Sequence, residues 1–76
     1  MNYEEAVQNI PSGIYRHFKG GLYEVIGIAK FSEDQSPVVV YKALYGDYGL
    51  WVRPADMWNE TVSYNGITCK RFEKCN

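Results

Sequence analysis

Leu22-Tyr23-Glu24-Val25-Ile26-Gly27-Ile28-Ala29-Lys30-Phe31 is the longest strand-like run in the chain, and its pattern decides the fold. Successive side chains of a strand point to opposite faces. Alternation puts Tyr23, Val25, Ala29 and Phe31 on one face, and Leu22, Ile26 and Ile28 on the other. A strand that is apolar on both faces belongs to a sheet covered on both. Gly27 in the middle of the run marks a bulge or a sharp bend. A strongly bent sheet closing on itself buries one face and leaves the other to be covered from outside.

The flanking segments supply the rest of such a sheet. Ile14 to Phe18 reads as a first strand, joined to the long one through the hairpin loop Lys19-Gly20-Gly21. Ser32 to Pro37 is a polar loop, and Val38 to Tyr45 is a third strand opened by three valines. Gly46-Asp47-Tyr48-Gly49 turns the chain into a short fourth strand, Leu50 to Arg53. Pro54 stops it and can begin a helical turn through Ala55-Asp56-Met57-Trp58. Glu60 to Tyr64 and Ile67 to Phe72 flank Asn65-Gly66, a strong two-residue hairpin signal. Ahead of all these, Tyr3, Ala6, Val7 and Ile10 recur at helical spacing. Asn2 can cap that helix, with Glu5 placed to complete a capping box, and Pro11-Ser12-Gly13 ends it.

These readings add up to a mainly β chain, a small open barrel of five to six short antiparallel strands with a short N-terminal helix laid on its outside. It is expected to be one domain over 1–76: helix and turn at 1–12, barrel at 13–72, and a frayed tail at 73–76. A chain of 76 residues buries only about 60% of the surface its unfolded form exposes. Seven Tyr, three Phe and two Trp suit that constraint, because each ring removes much area from water for few rotors.

Composition narrows function as well. The formal net charge of −1 lacks the basic excess usual in nucleic-acid binding. No apolar run approaches a membrane span, and the acidic start Met1-Asn2-Tyr3-Glu4-Glu5 is unlike a secretory signal, so a cytoplasmic setting is expected. Cys69 and Cys75 are separated by Lys-Arg-Phe-Glu-Lys, which offers no Gly or Pro for a tight reversal, so free thiols are expected. With two Cys and one His there is no set of four such ligands for zinc, and neither a metal nor a cofactor is expected.

Several blocks are similar to those of a known family. Gly13-Ile14-Tyr15-Arg16-His17-Phe18-Lys19-Gly20 followed by Tyr23-Glu24-Val25 resembles the opening of the small bacterial family called domain of unknown function 1653. Val39-Val40-Tyr41-Lys42-Ala43-Leu44-Tyr45-Gly46-Asp47 and Leu50-Trp51-Val52-Arg53-Pro54 resemble its central block. Met57, Val62, Gly66, Arg71 and Phe72 fit its closing segment. The resemblance runs over residues 13 to 72, departs from the family at Tyr48, where a small residue is expected, and leaves out the N-terminal helix. It implies an SH3-like barrel and carries no established activity.

The chemistry-bearing residues are few. His17 is the single histidine, and no Ser-His-Asp order, Cys-His pairing or phosphate-cradling loop accompanies it. It is expected to be a hydrogen-bonded structural residue, and a small enzyme using His17 with Asp47 or Glu24 is the weakest of three functional readings. Glu24 is expected to pair with a Lys or Arg of an adjacent strand, such as Lys42. The leading reading is a non-catalytic binding module for a peptide or protein segment. On the fourth strand, alternation assigns Leu50 and Val52 to the core and Trp51 and Arg53 to the opposite face, where the guanidinium can stack on the indole. Trp, Tyr and Arg are also the types enriched in binding hot spots. The expected ligand site is therefore Tyr45, Tyr48, Trp51 and Arg53, with Tyr15 and His17 beside it. The alternative is RNA or single-stranded nucleic acid, with Arg16, Lys42, Arg53 and Lys70 on phosphates. Exposed strand edges would also allow a homodimer.

Overall fold

The computed structural model describes residues 1–75, and Asn76, part of the expected frayed tail, lies outside the described residues. Helix α1 spans Tyr3–Asn9. Its start is a capping box: the Asn2 side chain accepts the Glu5 N–H, and the Glu5 carboxylate accepts the Asn2 N–H, each at 2.8 Å. A helix this short is not stable alone, so its buried Ala6 and Ile10 must anchor it to the sheet. Of the expected stripe, Tyr3 is half-buried beneath the Lys30 ammonium, while Val7 is exposed.

The strands that follow are β1 (Gly13–His17), β2 (Leu22–Lys30), β3 (Pro37–Ala43) and β4 (Leu50–Pro54). A short helix α2 (Ala55–Trp58) leads to β5 (Thr61–Tyr64), β6 (Ile67–Lys70) and β7 (Phe72–Lys74). The chain is mainly β, with seven strands among the described residues where five or six were expected. Five form one open antiparallel sheet in the order β4-β3-β2-β1-β7, and β5 and β6 form a separate hairpin. That hairpin turns at Asn65-Gly66, both with positive φ (52° and 78°), the backbone that an Asn-Gly turn favours.

The extra strand comes from the tail. Residues 73 and 74 were expected to fray, yet β7 pairs with β1, with Arg16 opposite Glu73 and His17 opposite Phe72. The Cys75 N–H then donates to the Ile14 carbonyl at 2.8 Å. The buried Phe72 ring explains why this end is held, because it stacks flat on Trp58 with centroids 3.7 Å apart.

Gly27 stands at the expected irregularity. Val25 pairs with Tyr41 and Gly27 with Val40, so Ile26 is the extra residue of a β-bulge. An inserted residue reverses the faces beyond it. Ile28 therefore joins Tyr23 and Val25 against the core, while Phe31 is exposed, contrary to simple alternation.

One core results, built from Ala6 and Ile10 of α1, Tyr15, Val25, Val39 and Tyr41 of the sheet, Ala55 and Trp58 of α2, and Phe72. Trp58 is fully buried at its centre, edge-on to Tyr15 and Tyr41. Both helices pack on this same face. The expectation that α1 covers the other face is corrected accordingly, since Ile26, Leu50 and Val52 on that side are exposed.

Candidate functional site

The site grows from the pairing of β3 with β4. Trp51 lies opposite Tyr41, and Arg53 lies opposite Val39. Tyr41 and Val39 face the core, so Trp51 and Arg53 face the same way, and Leu50 and Val52 point outward at 68% and 64% exposure. Alternation separated these two pairs correctly and assigned them to the wrong faces. The reason is position: β4 is an edge strand, so its core-facing side overhangs the rim instead of being covered. Trp51 is consequently 58% exposed although it is on the core face.

Below that overhang is a cleft of about 340 Å³ lined by Tyr23, Tyr41, Tyr45, Asp47, Trp51 and Arg53 among others. A Cβ on Gly21 would meet the Tyr45 and Tyr23 rings at 3.3 and 3.4 Å. The hydroxyls of Tyr23 and Tyr45 are hydrogen-bonded to each other. Burial, then that hydrogen bond, pushes the Tyr23 phenol up to about 12. It remains a neutral donor or acceptor at physiological pH. At the loop end, the Asp47 carboxylate accepts the Gly49 N–H at 3.2 Å and is held in place.

Arg53 supplies the charge. Its guanidinium lies 5.8 Å from the centroid of Phe72, not on Trp51 as expected. Its Nε is shielded from solvent and has no hydrogen-bond partner, and no carboxylate forms an ion pair with it among the described residues. A shielded donor without an acceptor costs about 1–3 kcal/mol.

The other expected site residues disperse. Tyr15 is buried at 5% exposure against Trp58 and donates its hydroxyl to the Pro11 carbonyl at 2.7 Å, which makes it a core residue. Tyr48 does not line the cleft, and its ring lies 5.9 Å from the Lys42 ammonium. His17 stands next to the cleft, edge-on to Tyr23 with centroids 6.3 Å apart, and packs on Phe18 and Phe72. Its Nδ1 accepts the Lys19 N–H at 3.2 Å. Burial, followed by the charges of Arg71, Arg53 and Lys19, lowers the imidazole below its ordinary value. Glu24 and Lys42 oppose each other in register but form no ion pair. Of the phosphate-binding set Arg16, Lys42, Arg53 and Lys70, only Arg16 and Lys70 share a groove. Cys69 and Cys75 are unbridged. Among the described residues, no three His, Cys, Asp or Glu side chains gather into a metal-binding group.

Sequence reasoning missed Tyr23, Tyr41 and Phe72 as site residues. Their signal was the run of aromatic residues at inward positions of neighbouring strands, where Tyr23 falls two residues from the partner of Tyr41.

Fold and cleft together define a class: a small, mainly β domain with an aromatic cleft at one sheet edge and an unpaired arginine inside it. The chain belongs to the family described as protein of unknown function DUF1653, whose profile matches residues 13–74. It is similar to a crystal structure of a protein of that family from Bordetella bronchiseptica, with 37% sequence identity, a TM-score of 0.84 and 91% of each chain covered. No functionally curated protein matches the chain.

Proposed function

We propose that the domain is a non-catalytic binding module, an open SH3-like barrel that grips a short peptide segment in the cleft under Trp51. The observation that carries this reading is Arg53: a guanidinium seated on Phe72 inside an aromatic cleft, with a shielded Nε and no partner. The terminal nitrogens of that guanidinium, which make no ion pair among the described residues, would take an acidic side chain or a terminal carboxylate, for which the planar fork is well shaped. Tyr23, Tyr41, Tyr45 and Trp51 would cover an adjacent apolar residue of the same peptide. No described carboxylate hydrogen-bonds to His17, whose Nδ1 is already an acceptor, which favours binding over acid-base chemistry. The unbridged Cys69 and Cys75 suit a reducing compartment such as the cytoplasm.

Trp51 is exposed enough to be removed without opening the core. Peptide arrays pairing an acidic with an apolar residue, followed by fluorescence anisotropy of a labelled peptide from the array, test the reading. Arg53→Gln and Trp51→Ala are expected to weaken binding at least tenfold while the far-ultraviolet dichroism stays unchanged. Equal binding by both variants would discard the cleft as the site.

A further inference from the structure

The distribution of charge over the surface is uneven in a way that the net value conceals. Arg16, Lys19, Lys70 and Lys74 all line one groove of about 670 Å³, with Glu73 its only carboxylate among the described residues. Four of the chain's 8 Lys and Arg but only one of its 9 Asp and Glu line the groove, so the side chains of the rest of the molecule are net acidic. The fold creates this concentration. The β1–β2 turn brings Lys19, the β1–β7 ladder sets Arg16 beside Glu73, and the β5–β6 hairpin adds Lys70. All four cations are exposed, and none forms an ion pair among the described residues, Arg16 and its neighbour Glu73 included.

Aromatic surface adjoins the charge. Phe18 lines the groove beneath the Lys19 ammonium, 5.7 Å from its ring centroid. Tyr64, 43% exposed, meets Phe18 edge-on with centroids 5.2 Å apart. Like charges held together without counter-ions repel, and a polyanion relieves that repulsion. Three of the four cations are lysines, which act as point charges and suit a line of phosphates more than the paired oxygens of a carboxylate. An aromatic lip beside a cationic track is the combination that holds single strands, with phosphates on the cations and bases on the rings.

We infer that this groove binds single-stranded nucleic acid without strong sequence preference, through Arg16, Lys19, Lys70 and Lys74 with stacking on Phe18 and Tyr64. The site is separate from the cleft under Trp51 and does not depend on the peptide reading.

Fluorescence anisotropy of a labelled mixed-sequence oligonucleotide tests it in the full chain. Single-strand binding weakens with salt by about 0.7 log units per log unit of salt for each phosphate contacted. Four contacts predict a loss of about 50-fold between roughly 50 and roughly 200 mM salt. Lys19→Gln with Lys70→Gln leaves two, and the same change in salt should then cost only about 7-fold. Both lysines are exposed, so the double variant should retain the wild-type unfolding midpoint, and Trp51→Ala should bind the oligonucleotide normally. Three results would overturn the inference: no binding at low salt, a salt response unchanged in the double variant, or displacement of the oligonucleotide by polyglutamate at equal charge concentration. The last would assign the groove to acidic peptides.

Discussion

Trp58 shows how much of a small domain can hang on one side chain. It is fully buried, stacked on Phe72 and edge-on to Tyr15 and Tyr41. Trp58→Ala should cost about 3–5 kcal/mol, comparable to the whole stability of a domain this size, and thermal melts should show a lost or strongly lowered transition. Tyr48 offers the opposite case. It holds a φ of 57°, a left-handed conformation that costs a residue with a Cβ about 1–2 kcal/mol, and its ring does not line the cleft. Tyr48→Gly is therefore expected to stabilise the domain by about 0.5–1 kcal/mol in urea denaturation and to leave peptide binding untouched. His17 gives a pH signature. Its folded pKa lies below 6.5, so the unfolded chain takes up the proton first as pH falls. The stability it contributes is complete above 6.5 and is lost as pH drops through that value towards the folded pKa. Urea midpoints measured between about pH 8 and pH 5 should fall for the wild type and fall less for His17→Gln.

Among the elements, β2 and β4 mark the boundary of what sequence alone conveys. Strand positions, the Asn65-Gly66 hairpin, the capping box at Asn2 and the irregularity at Gly27 are local features, encoded by residues a few positions apart. Faces are not local. The insertion of Ile26 reverses β2 beyond the bulge, and only the partner register of β3 reveals it. On β4, Leu50-Trp51-Val52-Arg53 alternates cleanly, but alternation has no sign, and hydrophobicity gave the wrong one. The cleft was half legible for this reason: Tyr45, Trp51 and Arg53 were named, while Tyr23 and Tyr41 were assigned to strands without a shared surface. The corrected faces can be tested by polar substitution. Val52→Thr should shift stability by no more than about 0.5 kcal/mol, whereas Val39→Thr, at a fully buried site, should cost about 1–3 kcal/mol.

At the scale of the whole molecule, the domain has one covered sheet face and one bare one, and its cations are gathered at one end. Net charge and overall hydrophobic content average such asymmetries away, which is why composition did not reveal the cationic groove that the fold assembles from residues 16–19 and 70–74. No described helix is long and apolar enough to cross a membrane. The sheet order adds a consequence for how the molecule is made. Strand β7 pairs with β1, and Phe72 completes the stack on Trp58. A nascent chain therefore cannot close its core until Phe72 has left the ribosome, and folding waits on the most sequence-distant pairing in the sheet. Loop-closure entropy then makes refolding slow for so short a chain, on the order of milliseconds to seconds. A chain ended at Arg71 should stay uncooperative in urea however long it is given.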